Sequence, residues 1–331
     1  MLLLWSFVGF LTGYAESYDH LLYCRGLLGF FEAGHWPCGL KAIQLMLTPR
    51  ERGLGNSVLQ SGTSIGAIVV PLLMIATLTP DRGSWRFSFQ LVGAFGLFWI
   101  VAWFLVVRND DFTLRPEAIE EARTAPSWWR DFLSRRMLVV VIIISMINTS
   151  WQTLRAWLPK IMQQEFAYSE RFTSIFTSFW YGVTDVGCLA SGALSLWLVN
   201  RGSGIKSSRT IAFALCAGLC ASLCTVPFLN PGPVMLAVLL ASGAGALGLF
   251  PIYYAFSQDI SRRHQGKVAG VTGVIAWLVS GQTAELFGWL ADETKSFRLG
   301  LALAGALPAI ALVVMVLLWP NENRNRTDIK G

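Results

Sequence analysis

The stretch RGLLGFFEAGHWP, residues 25–37, carries an arginine and a glutamate inside a run that is otherwise almost wholly apolar. Arg25 and Glu32 are seven residues apart, close to two turns of an α-helix, so both side chains leave from nearly the same face. A charge at mid-membrane costs about 2.5 to 3.5 kcal/mol on insertion scales and normally faces a partner or a wet cavity. Whether this segment crosses a membrane therefore decides both the fold and where a site is expected.

The composition answers for a membrane. Of 331 residues, 54% are hydrophobic and 14% charged, with mean hydropathy +0.52, whereas a soluble domain carries roughly 25% charged residues. Outward from residues 25–37, runs of the ~20 apolar residues that a spanning helix needs recur along nearly the whole chain. Bounded by polar or Pro/Gly clusters, ten spans are expected, at residues 1–16, 20–46, 54–78, 87–107, 137–162, 172–199, 210–229, 234–257, 267–290 and 299–319. The fold class is all-α, an integral membrane bundle.

The connections alternate in charge. TPRERG, the segment from Arg108 to Arg136, NRGSGIKSSR, SRRHQGK and the C-terminal NENRNRTDIKG hold seventeen Lys and Arg, against five in SYDH, TPDRGSWR, EFAYSER, NPGP and ADETKSFR. Positive charge collects on the cytoplasmic side of membrane proteins, which places the first set and both termini in the cytoplasm. Residues 108–136 read as a cytoplasmic linker dividing a four-helix part (1–107) from a six-helix part (137–320), with 321–331 a cytoplasmic tail. The opening MLLLW has no positively charged leader and no small-residue cleavage site, so a cleaved signal peptide is not expected. The six cysteines all fall in apolar segments and read as packing residues; the stripe Cys216, Cys220, Cys224 has no histidine or carboxylate beside it to complete a metal site. The net charge of +6 is dispersed through loops, which gives nucleic acid no patch to bind.

Three blocks carry a resemblance: RGLLGFFEAGHWP running on into KAIQLMLTPRERGLGNSVLQSGTSIGAIVVPLL, then YGVTDVGCLASGALSLWLVNRG, then QDISRRHQGKVAGVTGVIAWLVSG. They resemble the major facilitator superfamily and, within it, the anion:cation symporters of sugar acids and related organic anions, over essentially the whole chain. The first block looks like the fourth family helix, its cytoplasmic turn and the fifth helix. The family has twelve helices in two halves of six, so the spans here look like helices 3 to 12, without helices 1 and 2 or the loop joining helices 2 and 3. The resemblance implies alternating access, no cofactor, and a monomer in a bacterial inner membrane. It also implies that Arg25 is a substrate-coupling position and Glu32 the proton-binding one.

The residues bear a parallel reading. A carboxyl in a low-dielectric cavity disfavours its charged form, so Glu32 is suited to exchange a proton, and Arg25 would oppose that shift until a substrate anion competes for the guanidinium. The other reading of the pair is a buried ion pair or a packing arginine. Asn148, Gln152 and Arg155 recur at spacings of four and three, a polar stripe on one helix face. Arg155 suits a carboxylate because its planar fork donates two parallel hydrogen bonds, while Asn and Gln meet hydroxyls as donor or acceptor; a snorkelling arginine is the alternative. Asp185 is read as a gating group or an ion-pair partner across the bundle, with a purely structural role the equal alternative. Gln60, Ser61, Thr63, Tyr181, Trp277 and Gln282 are candidate cavity-lining groups, with ordinary helix packing the alternative for each; His35 points elsewhere than Glu32. Small residues at 62–66, at Gly182, Gly187 and Gly192, and at 241–248 allow the close helix contacts that rocking needs. The turns PRERG, NRGSG and SRRHQG serve as latches, lipid anchors or topology signals.

The sequence carries no metal-binding His/Cys cluster, no G-x-S-x-G and no phosphate-binding glycine loop, which argues against an enzyme, and no repeated filter-like segment, which argues against a channel. The function expected is a secondary active transporter importing an organic anion, with a hexuronate or related sugar acid first. Protons are preferred to sodium as the coupling ion, because a lone carboxylate offers a metal cation too few oxygen ligands. Carriers of glucarate, phosphate or an aromatic acid, and a non-transporting membrane scaffold or sensor, are the alternatives.

Overall fold

The structure, a computed structural model, describes residues 1–79, 81, 83–108 and 127–320. Most of the expected linker, 109–126, and the whole tail, 321–331, lie outside the described residues. Every regular element among the described residues is helical. The α-helices are α1 (Leu2–Thr12), α2 (Tyr18–Glu32), α3 (His35–Met46), α4 (Arg52–Thr77), α5 (Trp85–Val106), the short α6 (Trp128–Phe132), α7 (Arg135–Gln164), α8 (Glu170–Asn200), α9 (Ile205–Ala221), α10 (Pro233–Ser257), α11 (Gln265–Thr294) and α12 (Arg298–Leu318). A 3₁₀ segment, Ser222–Phe228, extends α9.

Seven of these are long and apolar enough to cross a membrane: α4, α5, α7, α8, α9 with its 3₁₀ extension, α10 and α12. The short apolar α1, the α2–α3 pair and the 30-residue α11 bring the spans to the expected ten.

The span read as continuous from 20 to 46 is interrupted. Ala33 and Gly34 leave the helix, although both keep right-handed backbone angles (φ −54°, ψ −26° and φ −77°, ψ −13°). Pro37 is the cause: it has no N–H for the Ala33 carbonyl, and its ring crowds that carbonyl. A second departure is the 3₁₀ end of the 210–229 span, which contains Pro227.

The buried core lies mainly in α7–α12, with Leu40 of α3 joining it. Trp180 of α8 is fully buried, stacks on Trp151 of α7 at 5.4 Å, and donates its indole N–H to Leu239 O at 3.0 Å, so its one polar atom is satisfied in the core. At the end of α7, Glu165 accepts from Ser296 Oγ, Phe297 N and Arg298 Nε at 2.9–3.1 Å and fixes the α11–α12 turn. The cysteines are unbridged, and Cys216 and Cys220 are buried.

Three contacts join α1–α5 to α7–α12 most closely: α4 along α8, the loop-proximal ends of α3 and α4 around the end of α10, and α3 along α11. Between them lies a cavity.

Candidate functional site

The cavity, about 210 Å³, is walled by α3 and α4 on one side and by α7, α8, α10 and α11 on the other. The polar stripe foreseen on α7 faces it: Asn148, Gln152 and Arg155 all line it, as spacing on one helix face requires. Gln60 and Thr63 of α4, Tyr181 of α8 and Trp277 of α11 line it as well. Among the described residues Arg155 is the only charged one that lines the cavity, and it makes no ion pair there; its field acts on the Tyr181 phenol.

Neighbouring hydrogen bonds fix the polar groups. Asn148 donates its amide to Ser280 Oγ at 2.7 Å and to Ala276 O at 3.3 Å, leaving its carbonyl for another donor. Gln60 donates to Thr63 Oγ1 at 3.2 Å and accepts from the Tyr254 hydroxyl at 3.2 Å, so a single amide ties α4 to α10. Tyr254 in turn stacks on Trp36 with centroids 5.3 Å apart. This aromatic floor, with Tyr253, Thr272 and Ser64, was not foreseen. Trp36 lines the cavity from the first turn of α3, just before Pro37, and no periodic pattern marks that.

Five expected residues lie outside the lining. Arg25 and Glu32 are exposed on α2; the Arg25 guanidinium sits 5.1 Å from the Phe89 ring centroid, and Glu32 acts electrostatically on His35, the next turn along. Gln282 is exposed on α11. Asp185 is half-buried where α8 meets α4, beside Ser64 and away from any basic partner among the described residues. Ser61 points back to its own helix, its hydroxyl donating to Val58 O at 2.9 Å.

At one end of the cavity the basic turns interlock. Asp259, at the end of α10, receives Arg52 Nη1 of α4 at 3.3 Å and a shorter contact from Arg209 Nη1 of α9. Arg209 also donates to Pro49 O at 2.7 Å, Gln44 to Gln258 O at 2.7 Å, Gln258 to Leu40 O at 2.9 Å, and Lys41 to Arg262 O. Arg52 and Arg209 are almost fully buried, their side chains 5% and 2% exposed. In the same turn Glu51 accepts from Thr48 Oγ1 at 2.7 Å and Thr48 N at 3.0 Å, which holds its carboxyl below the usual carboxylate range. The turns PRERG and SRRHQG thus take part in an interlock, while Arg201 of NRGSG lies over Trp197.

A helical bundle with a cavity between two groups of helices, closed at its basic end by the cross-group Arg52–Asp259 ion pair and the hydrogen bonds around it, is carrier architecture. Residues 1–284 match the family described as the Major Facilitator Superfamily. The chain belongs to the major facilitator superfamily. It is 26% identical to the "Probable L-galactonate transporter" of Escherichia coli (strain K12), over 95% of this chain and 72% of that protein. It is also 26% identical to the "Hexuronate transporter" of the same strain, over 96% of this chain and 76% of that one. Among solved structures, a proton:xylose symporter of the superfamily bound to 6-bromo-6-deoxy-D-glucose superposes with a TM-score of 0.74 at 14% identity, covering 96% of this chain and 79% of that one. This superfamily member is a multi-pass integral membrane transporter, and its activity is carriage, not chemical conversion.

Proposed function

We propose that this chain is a secondary active carrier that imports a hexuronate or related sugar acid by proton symport with alternating access. The carrying observation is Arg155: a guanidinium without an ion-pair partner and, among the described residues, the only charge lining a cavity whose other walls are amides, hydroxyls, aromatic rings and aliphatic side chains. A bidentate hydrogen bond to a carboxylate uses the guanidinium, and hydroxyls use Gln152, Gln60, Thr63 and the free carbonyl of Asn148. The flat faces of Trp36, Tyr254 and Trp277 suit a sugar ring or its open chain. The similarity to the galactonate and hexuronate transporters supports the same substrate class.

Residues 1–107 and 137–320 act as the two moving bodies, joined by the cytoplasmic linker. With the basic turns and both termini on the cytoplasmic side, as the distribution of Lys and Arg demands, the conformation described is closed to the cytoplasm. Glu32 carries the coupling proton and Arg25 tunes it. Gln282 meets substrate only when α11 moves.

The test is uptake of radiolabelled glucuronate, galacturonate, galactonate, glucarate, phosphate and benzoate into proteoliposomes containing the full chain, with and without an uncoupler. Accumulation of a uronate or aldonate that collapses with the uncoupler is the expected result. Sodium-dependent accumulation, or none of any anion in the panel, overturns the reading.

A further inference from the structure

Asp185 is the central residue of the 31-residue α8, fifteen residues from Glu170 and fifteen from Asn200, or about 22 Å from either end at 1.5 Å per residue. It is the only charged side chain between Arg171 and Arg201. Three residues on, Cys188 reaches Ser57 O of α4 at 3.7 Å; beyond it Gly192 and Ser195 lie against Ser57 and Gly53. Spacings of three, four and three put all of them on one helix face, so Asp185 belongs to the seam between α8 and α4. It stands at the cavity end of that seam, where Tyr181, one turn earlier, and Ser64 of α4 both line the cavity.

Its environment is unusual for an acid. Asp185 Oδ1 is shielded from solvent and makes no hydrogen bond among the described residues; the Ser64 hydroxyl, which acts on this carboxyl, is likewise buried and without a partner. No helix packed against the seam supplies a compensating cation. Beyond Arg52, α4 has no ionisable side chain, α10 offers only Tyr253 and Tyr254, α9 beyond Arg209 only cysteines, and α8 itself Tyr181 and Cys188. On α7, Arg155 acts on Tyr181 rather than on Asp185. Asp185 is half-buried and its second oxygen is not shut off in this way, but a carboxylate with one oxygen shielded and unpaired is disfavoured, an effect that the Ser64 hydroxyl offsets only in part. A protonated carboxyl, by contrast, offers one donor and one acceptor, which a single serine hydroxyl can complement.

We propose that Asp185 is a second proton-exchange site of the carrier: it holds a proton while α4 and α8 are closed on each other and loses it to water when the seam parts. The step is a proton transfer between water and the Asp185 carboxyl, with no other bond made or broken. The proposal rests on the carrier reading above and extends it, because with Glu32 it makes more than one proton move per substrate anion.

Two readouts separate it from that reading. The first is infrared pH-difference spectroscopy of the full chain in lipid, which needs no transport: the C=O stretch of a protonated carboxyl is expected in the parent protein, lost in Asp185→Asn, retained in Asp185→Glu and shifted in titration by Ser64→Ala. The second is the proton-to-substrate ratio at zero net flux in proteoliposomes, expected to fall by one in Asp185→Asn while substrate counterflow persists. An unchanged band and an unchanged ratio in Asp185→Asn overturn the proposal. Should that variant fail to insert, an unshifted titration in Ser64→Ala overturns it instead. A band that disappears in Asp185→Asn, in a parent protein that moves no organic anion, supports the proton site and removes the carrier reading.

Discussion

Arg155 stands alone as a charge in its cavity, and a carboxylate held there by two parallel N–H donors gains from both charge and geometry. Lysine keeps the charge and loses the fork. With a charge-assisted hydrogen bond contributing about 1.5 to 3 kcal/mol, Arg155→Lys is predicted to raise the substrate Kd by about ten- to a hundredfold, read by equilibrium binding of the transported acid; an unchanged Kd rejects the clamp. Glu32→Gln is predicted to abolish uptake driven by a pH gradient while sparing exchange of internal for external substrate, and normal gradient-driven uptake in that variant would remove Glu32 from coupling. Much of the cavity was legible residue by residue: Asn148, Gln152 and Arg155 were found because their spacing is a property of one helix. Trp36 and Tyr254 were not, because their stacking joins helices 218 positions apart in sequence, and no local pattern encodes it.

Elements were legible where a single physical rule governs them. Apolar runs bounded by charged turns give the ten spans, since the bilayer fixes their minimum length. The interruption at Ala33 and Gly34 was not, because hydropathy is blind to the backbone carbonyl that Pro37 leaves without a donor. The small-residue contacts foreseen from composition take definite form at Gly192 of α8: a Cβ there would lie 2.5 Å from Ser57 Oγ and 2.7 Å from Gly53 O of α4. Helices in lipid have no hydrophobic force to join them and depend on such close packing. Gly192→Val is therefore predicted to separate α4 from α8 and disfavour the conformation described. A thiol-reactive probe in water should then label Cys188, which packs against Ser57 O at 3.7 Å, several-fold faster than in the parent chain. Equal labelling rates would show that the seam tolerates the methyl groups.

At the scale of the molecule, what matters is the balance between two arrangements of the bundle, and the basic end holds one of them. Asp259 is the shared counter-ion of Arg52 and Arg209, two guanidinium groups withdrawn from water. Breaking a buried pair by removing one partner costs about 3 to 5 kcal/mol because a charge is left uncompensated. Asp259 itself is a third exposed, so solvent screens part of that cost and the lower end of the range, or less, applies. Even about 1.4 kcal/mol changes the ratio of the two arrangements tenfold. The uncharged contacts, Gln44 to Gln258 and Gln258 to Leu40, remain to hold the helix ends near each other. Asp259→Asn is thus predicted to populate the arrangement open at the basic end without unfolding the bundle, seen as a longer spin-label distance between positions 48 and 262 in double electron–electron resonance. Adding Arg52→Gln, which removes one orphaned charge, is predicted to restore part of the shorter distance. A distance distribution unaltered in Asp259→Asn would mean that the amide contacts alone close this end, and the ion pairs would lose their place in alternating access.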